Sequence, residues 1–160
     1  MDAEKLKVII ENHSHWLKKD CEGWETKKAD LSGADLRGAY LRGAMYNENT
    51  AFFSLQCPEY GAYIGWKKCG RYIVKLEITA DSKRTSATTR KCRASKAIVL
   101  DIQHIDGTKA DVQSVHSNHD QQFVYEIGKT VEVANFDDNR WIECTAGIHH
   151  FITRQEAVNY

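Results

Sequence analysis

Residues 65–97 read GWKKCGRYIVKLEITADSKRTSATTRKCRASKA. At their centre Tyr72-Ile-Val-Lys-Leu-Glu-Ile78 alternates closely enough to predict a strand with one buried face. Downstream, Ala97–Ile102 is a short apolar run bounded by charge and reads as a second strand. Asp106-Gly107 is a turn dipeptide between His104-Ile105 and Asp111–Val115, which predicts a hairpin. Phe123-Val-Tyr125 and Thr130-Val-Glu-Val133 flank Ile127-Gly128-Lys129 and predict another strand pair. The end of the chain, from Gly147, reads as a strand followed by a short helix. Thr153 and Glu156 stand at capping-box spacing there, each able to bond the other's free backbone amide. A strand-rich mixed α+β domain is therefore expected over residues 59–160.

The same central stretch is strongly basic. Residues 61–100 hold ten cations and two anions, against four and ten in residues 101–160 and eight and ten in residues 1–60. The total of zero hides a local +8 beside a −6, the asymmetry of a site for an anionic partner. Arg84, Arg90, Lys91, Arg93 and Lys96 are interleaved with Thr85, Ser86, Thr88, Thr89 and Ser95. Guanidinium forks and small hydroxyls both donate to phosphate oxygens. With little apolar content, the span from Asp81 to Arg90 is expected to be a loop, where binding groups often lie. Trp66 beside Lys67-Lys68, and Tyr72 beside Arg71, offer faces on which a ring can stack. The competing reading is a solvated basic surface, or one paired with the acidic C-terminal third.

Upstream, composition changes around Pro58, and a boundary is expected there, giving domains 1–58 and 59–160. Residues 3–19 read as an amphipathic helix, with Leu6, Ile9, Ile10, His13, Trp16 and Leu17 at spacings of three and four and Asp2 as N-cap. His13 and His15 point in different directions and are expected to be structural. Next come Ala29-Asp-Leu31-Ser-Gly, Ala34-Asp-Leu36-Arg-Gly, Ala39-Tyr-Leu41-Arg-Gly and Ala44-Met-Tyr-Asn-Glu, in register every five residues. These resemble the pentapeptide-repeat proteins, whose right-handed β-helix uses four repeats per coil. The resemblance implies about one coil, too short and too nearly neutral to imitate a DNA duplex, and better suited to a spacer or docking module. One coil leaves an end face to be covered, which makes a homodimer a reasonable expectation.

Taken whole, the chain resembles phage-encoded and bacterial pentapeptide-repeat proteins with a C-terminal domain of unassigned function. Gly65-Trp-Lys-Lys68, Arg90-Lys-Cys-Arg-Ala-Ser-Lys96 and Cys144-Thr-Ala-Gly-Ile-His149 carry that resemblance. It implies a virus-borne accessory protein acting in the cytoplasm of a bacterial host, and brings no catalytic residues with it. Five scattered cysteines without a C-x-x-C pair fit reduced thiols. No apolar run approaches the roughly 20 residues of a membrane helix, and MDAEKLKVII lacks a signal-peptide layout.

The expected ligand-binding set is Trp66, Lys67, Lys68, Arg84, Ser86, Arg90, Arg93, Lys96 and His149. No catalytic set, metal or cofactor is expected. Cys144 with His149 and His150 lacks a third group to orient a base. His116-x-x-His119 with Asp120 lacks a second ligand pair for zinc. A duplex would recruit roughly six to ten phosphate contacts and meet the C-terminal −6, so a compact anion is preferred to nucleic acid. The leading expectation is a phage protein that captures a phosphorylated, nucleotide-type signal of host defence without turning it over. A protein–protein inhibitor or adaptor of a host enzyme is the first alternative. An ADP-ribosyl-transferring enzyme is the second. The latter rests on a faint likeness of Gly147-Ile-His-His-Phe-Ile and the following helix to ADP-ribosyltransferase-type domains.

Overall fold

Two neighbouring strands, β1 (Tyr63–Cys69) and β2 (Tyr72–Ile78), form the centre of the C-terminal part of the chain. The computed structural model describes residues 3–29 and 54–160, and the chain divides into two compact units, residues 1–36 and 37–160. In the second unit β1 and β2 are antiparallel, joined at Gly70, whose φ of 58° suits a residue without Cβ. Val74, Leu76 and Ile78 of β2 are fully buried in the main core, and Ile73 is buried on the opposite face. The remaining strands are β3 (Arg84–Ser86), β4 (Cys92–Ala94), β5 (Lys96–His104), β6 (Ser114–His116), β7 (Val124–Glu126), β8 (Thr130–Glu132) and β9 (Ile148–His150). Helix α2 spans Arg154–Asn159.

Two sheets are linked at both sides, once by the chain itself and once by a backbone bridge. One sheet runs β1-β2-β5-β8 and a second runs β3-β4-β9, while β6 and β7 make a separate ribbon. β5 follows β4 after a single residue, Ser95, where the chain changes sheet. The Ser95 amide donates to the Lys83 carbonyl, and its Oγ accepts from the Lys83 amide. At the other side the Trp66 and Phe151 backbones exchange two hydrogen bonds of 2.8 Å, which ties the residue after β9 to β1. So β1-β2-β5, β4, β9 and β1 again close on themselves, leaving fewer free edges to manage.

The strands expected over 72–78 and 97–102 are present, as is the capping box: Thr153 Oγ1 accepts from the Glu156 amide, and Glu156 from the Thr153 amide. Three pairings differ. The expected loop from Asp81 to Arg90 contains β3, because Thr85 and Ser86 bury against β4 and Ser86 Oγ accepts from the Gln56 amide. The turn at Asp106-Gly107 forms, but only Gln103 and Lys109 bridge across it, and β6 goes on to pair with β7. β7 and β8 therefore do not pair with each other; β8 adds to the edge of β5.

In the first unit, α1 spans Ala3–Lys18 and a 3-10 turn spans Trp24–Lys27. The turn folds back on the helix: Lys27 donates to Asn12, and the Ala29 amide to His13 Nδ1. Trp16 stacks on His13 with ring centroids 5.2 Å apart. Of the expected apolar stripe, Ile10 and Leu17 are exposed. The expected N-cap Asp2 and the pentapeptides from residue 30 onward lie outside the described residues. Among the described residues no helix is long and apolar enough to cross a membrane. The architecture of the described residues is α+β, with an N-terminal helix, three small antiparallel sheets and a short C-terminal helix.

Candidate binding cleft

Strand alternation decides where the basic residues go. In β1 the residues Gly65, Lys67 and Cys69 face one side and Trp66 and Lys68 the other. Trp66 packs against Ile73, Phe151 and Ala157, under the Lys75 ammonium, which lies 5.7 Å from its ring. Lys68 donates to the Val158 carbonyl at the end of α2 (3.0 Å). Both residues are part of the way α2 is held on the sheet. Lys67 points into a cleft of about 390 Å³ whose lining includes Phe123, Tyr125, Asn135, Thr145 and His149.

Arg84 donates to five backbone carbonyls, those of Pro58, Gly61, Thr79, Ala80 and Ser82, and its guanidinium lies over the Tyr63 ring. Arg93, only 2% exposed, donates to the carbonyls of Asp137, Asn139 and Ala146 and rests on Phe136. Arg90 pairs with Glu156 (2.7 Å) and Gln56 (3.1 Å), and Lys96 pairs with Asp81. That contact and Thr79 hold the Asp81 carboxyl at about 2. The hydroxyls are similarly occupied: Ser86 Oγ accepts from the Gln56 amide, and Thr89 donates to Glu143. The nine expected binding residues are thus spread over several places. Two of them, Lys67 and His149, line the cleft.

Those two share a distinct electrostatic setting. Lys67 is 9% exposed, and its Nζ donates to the His149 carbonyl at 3.3 Å and lies 5.7 Å from the Tyr125 ring. Burial, together with the nearby Lys91 charge, moves its pKa down, against an opposing effect of Cys69. An ammonium has three donors, and among the described residues this one has a single hydrogen-bond partner and no carboxylate. His149 Nε2 takes a 2.9 Å hydrogen bond with the Thr145 carbonyl. Burial lowers its pKa to about 4, and the charges of Lys67, Lys91 and Arg93 push in the same direction. Three cations therefore act on one imidazole at the back of the cleft.

His149 and His150 face opposite sides of β9, as the period of a strand requires. His150 is fully buried, bonded to Tyr63 Oη (3.0 Å) and the Ile148 carbonyl (3.0 Å), with burial lowering its pKa to about 4. Lys91 stands in the basic block but outside the expected binding set; it is buried and places its Nζ 3.1 Å from Cys144 Sγ and 3.4 Å from Tyr160 Oη. In the sequence, Phe123 and Tyr125 read only as strand residues. Their placement opposite Lys67 depends on β7 pairing with β6, which no local pattern specified.

The model of one family, described as a family of unknown function (DUF5758), matches residues 53–157. No curated protein matches the chain, and no solved structure does.

Proposed function

The chain belongs to the DUF5758 family, whose match spans β1 to most of α2, and from that premise we propose that it binds a compact phosphorylated small molecule of nucleotide type in the cleft, without turning it over. The observation that carries this reading is Lys67: a buried ammonium with spare donors, facing a cleft, and matched to no carboxylate among the described residues. Burying a cation without a counter-ion is costly, and a ligand anion would offset that cost. Lys91 and Arg93 add positive potential, and Phe123 supplies a flanking ring. Asp120 and Glu132 at the exposed rim set a limit, since they disfavour a long polyanion and suit a ligand with hydroxyls beside its phosphate.

In this reading the protein is a phage accessory that sequesters a defence signal in the host cytoplasm. The pentapeptide stretch contributes about one coil of β-helix as a spacer or dimer contact. Support for both comes from the sequence resemblance. Isothermal titration of the full chain against mononucleotides, cyclic dinucleotides and ADP-ribose derivatives tests the proposal. One of these is expected to bind, with Lys67→Met weakening it by about tenfold to a hundredfold, the worth of a charged hydrogen bond. Arg90→Ala and Lys96→Ala leave the affinity unchanged. Absence of heat for every compound, with the protein folded, removes the reading. Docking on a host protein is the second reading, favoured by the exposed Val8, Ile10 and Leu17 of α1. A stoichiometric partner recovered with Lys67→Met as readily as with the unaltered chain would support it.

A further inference from the structure

We propose that His15, Asp20 and Cys21 form a site for a divalent transition-metal ion, zinc by preference. The argument begins with the end of α1. The helix stops at Lys18, and Lys19 adopts a left-handed conformation with φ of 54°. That reversal turns the next two residues back towards the last turn of the helix. His15 Nδ1 then lies 2.6 Å from Asp20 Oδ1, and the donor atoms of His15, Asp20 and Cys21 all fall within 4.8 Å of one another. An imidazole nitrogen, a carboxylate oxygen and a thiol sulfur are the three donor types that zinc accepts in tetrahedral sites.

The spans are close to what an ion needs. With bonds of about 2.0 Å to nitrogen and oxygen and about 2.3 Å to sulfur, tetrahedral ligand atoms stand roughly 3.3–3.6 Å apart. His15 and Asp20, now 2.6 Å apart, must separate slightly, while Cys21 already lies within 4.8 Å of both. His15 and Asp20 are exposed, where such rotations meet little packing, and Cys21 is half-buried beside them. The fourth position would be taken by water. Two nearby cations bear on the site. Lys19 is directed onto the Trp24 ring, 5.1 Å away, and Lys18 acts on Asp20 from the end of the helix. The mixed nitrogen–oxygen–sulfur set disfavours magnesium and calcium, which take oxygen ligands.

The test uses the full chain, reduced and freed of metal with a chelator, and titrated with Co²⁺ as a coloured stand-in for zinc. Saturable uptake of one ion per chain is expected, with a thiolate-to-cobalt charge-transfer band and the visible bands of a tetrahedral centre, both bleached by Zn²⁺. Cys21→Ser abolishes the charge-transfer band, and His15→Ala weakens uptake by about tenfold or more. Cys144→Ser, which removes the exposed thiol of the other unit, changes neither. The proposal is overturned by a lack of saturable uptake, by a band that survives Cys21→Ser, or by one that depends on Cys144. Helicity measured by circular dichroism confirms that each variant is folded. Because the anion cleft uses none of these residues, its failure and the failure of this site are read separately.

Discussion

Truncating Arg93 takes three donated hydrogen bonds away from the carbonyls of Asp137, Asn139 and Ala146, in a place with almost no access to water. Each donor lost to a buried acceptor costs about 1–3 kcal/mol, so Arg93→Ala is expected to lower the unfolding free energy by about 3 kcal/mol or more. Three residues earlier, Arg90 makes a partly exposed pair with Glu156, of the kind worth about 1 kcal/mol or less. Urea denaturation of the two alanine variants checks the contrast; similar midpoints would show that Arg93 is not a structural clamp. This difference was not legible in the sequence, where Arg90 and Arg93 look alike. What separates them is whether the segment 137–146 folds over the side chain, and that contact spans more than forty residues.

At the scale of elements, β1 and β9 approach closely only because residue 65 has no side chain. A Cβ placed there would stand 2.7 Å from His150 Cδ2, and that ring is held by Tyr63 Oη and the Ile148 carbonyl. Gly65→Ala is expected to destabilise the fold by about 1–3 kcal/mol, as overpacking does, with the melting temperature as the measure. A melting temperature equal to that of the unaltered chain would mean that His150 has room to move. Elements with a strong local signature, β2, β5, α2 and its capping box, were legible in the sequence. The short strands were not, because three residues carry too little periodicity and β3 consists of polar residues whose burial depends on β4. Lys67 and His149 were legible as chemistry. Their convergence depends on which face of each strand turns inward.

Across the whole molecule, the two histidines of β9 couple stability to pH. Burial lowers the pKa of both His149 and His150 from an ordinary 6.5 to about 4. Between those values the unfolded chain binds protons that the folded chain does not, so stability rises with pH. The contribution is fully present above about pH 6.5 and is lost progressively towards pH 4, by up to about 3 kcal/mol for each ring. Asp81, held at about 2, shifts stability in the same direction in a more acidic window. Urea midpoints at about pH 7 and about pH 4.5 measure this; equal midpoints would mean that the rings titrate normally in the fold.

The backbone exchange between Trp66 and Phe151 joins residues 85 positions apart. A nascent chain still lacking Phe151 therefore leaves β1 with an uncovered edge, and the β-rich unit can finish only after nearly all of it has been translated. Folding that waits on so distant a contact is intrinsically slow, which gives proteases and chaperones their opportunity early in the protein's life. A chain ending at His150 would present that intermediate, and limited proteolysis of it would catch the sheet still open.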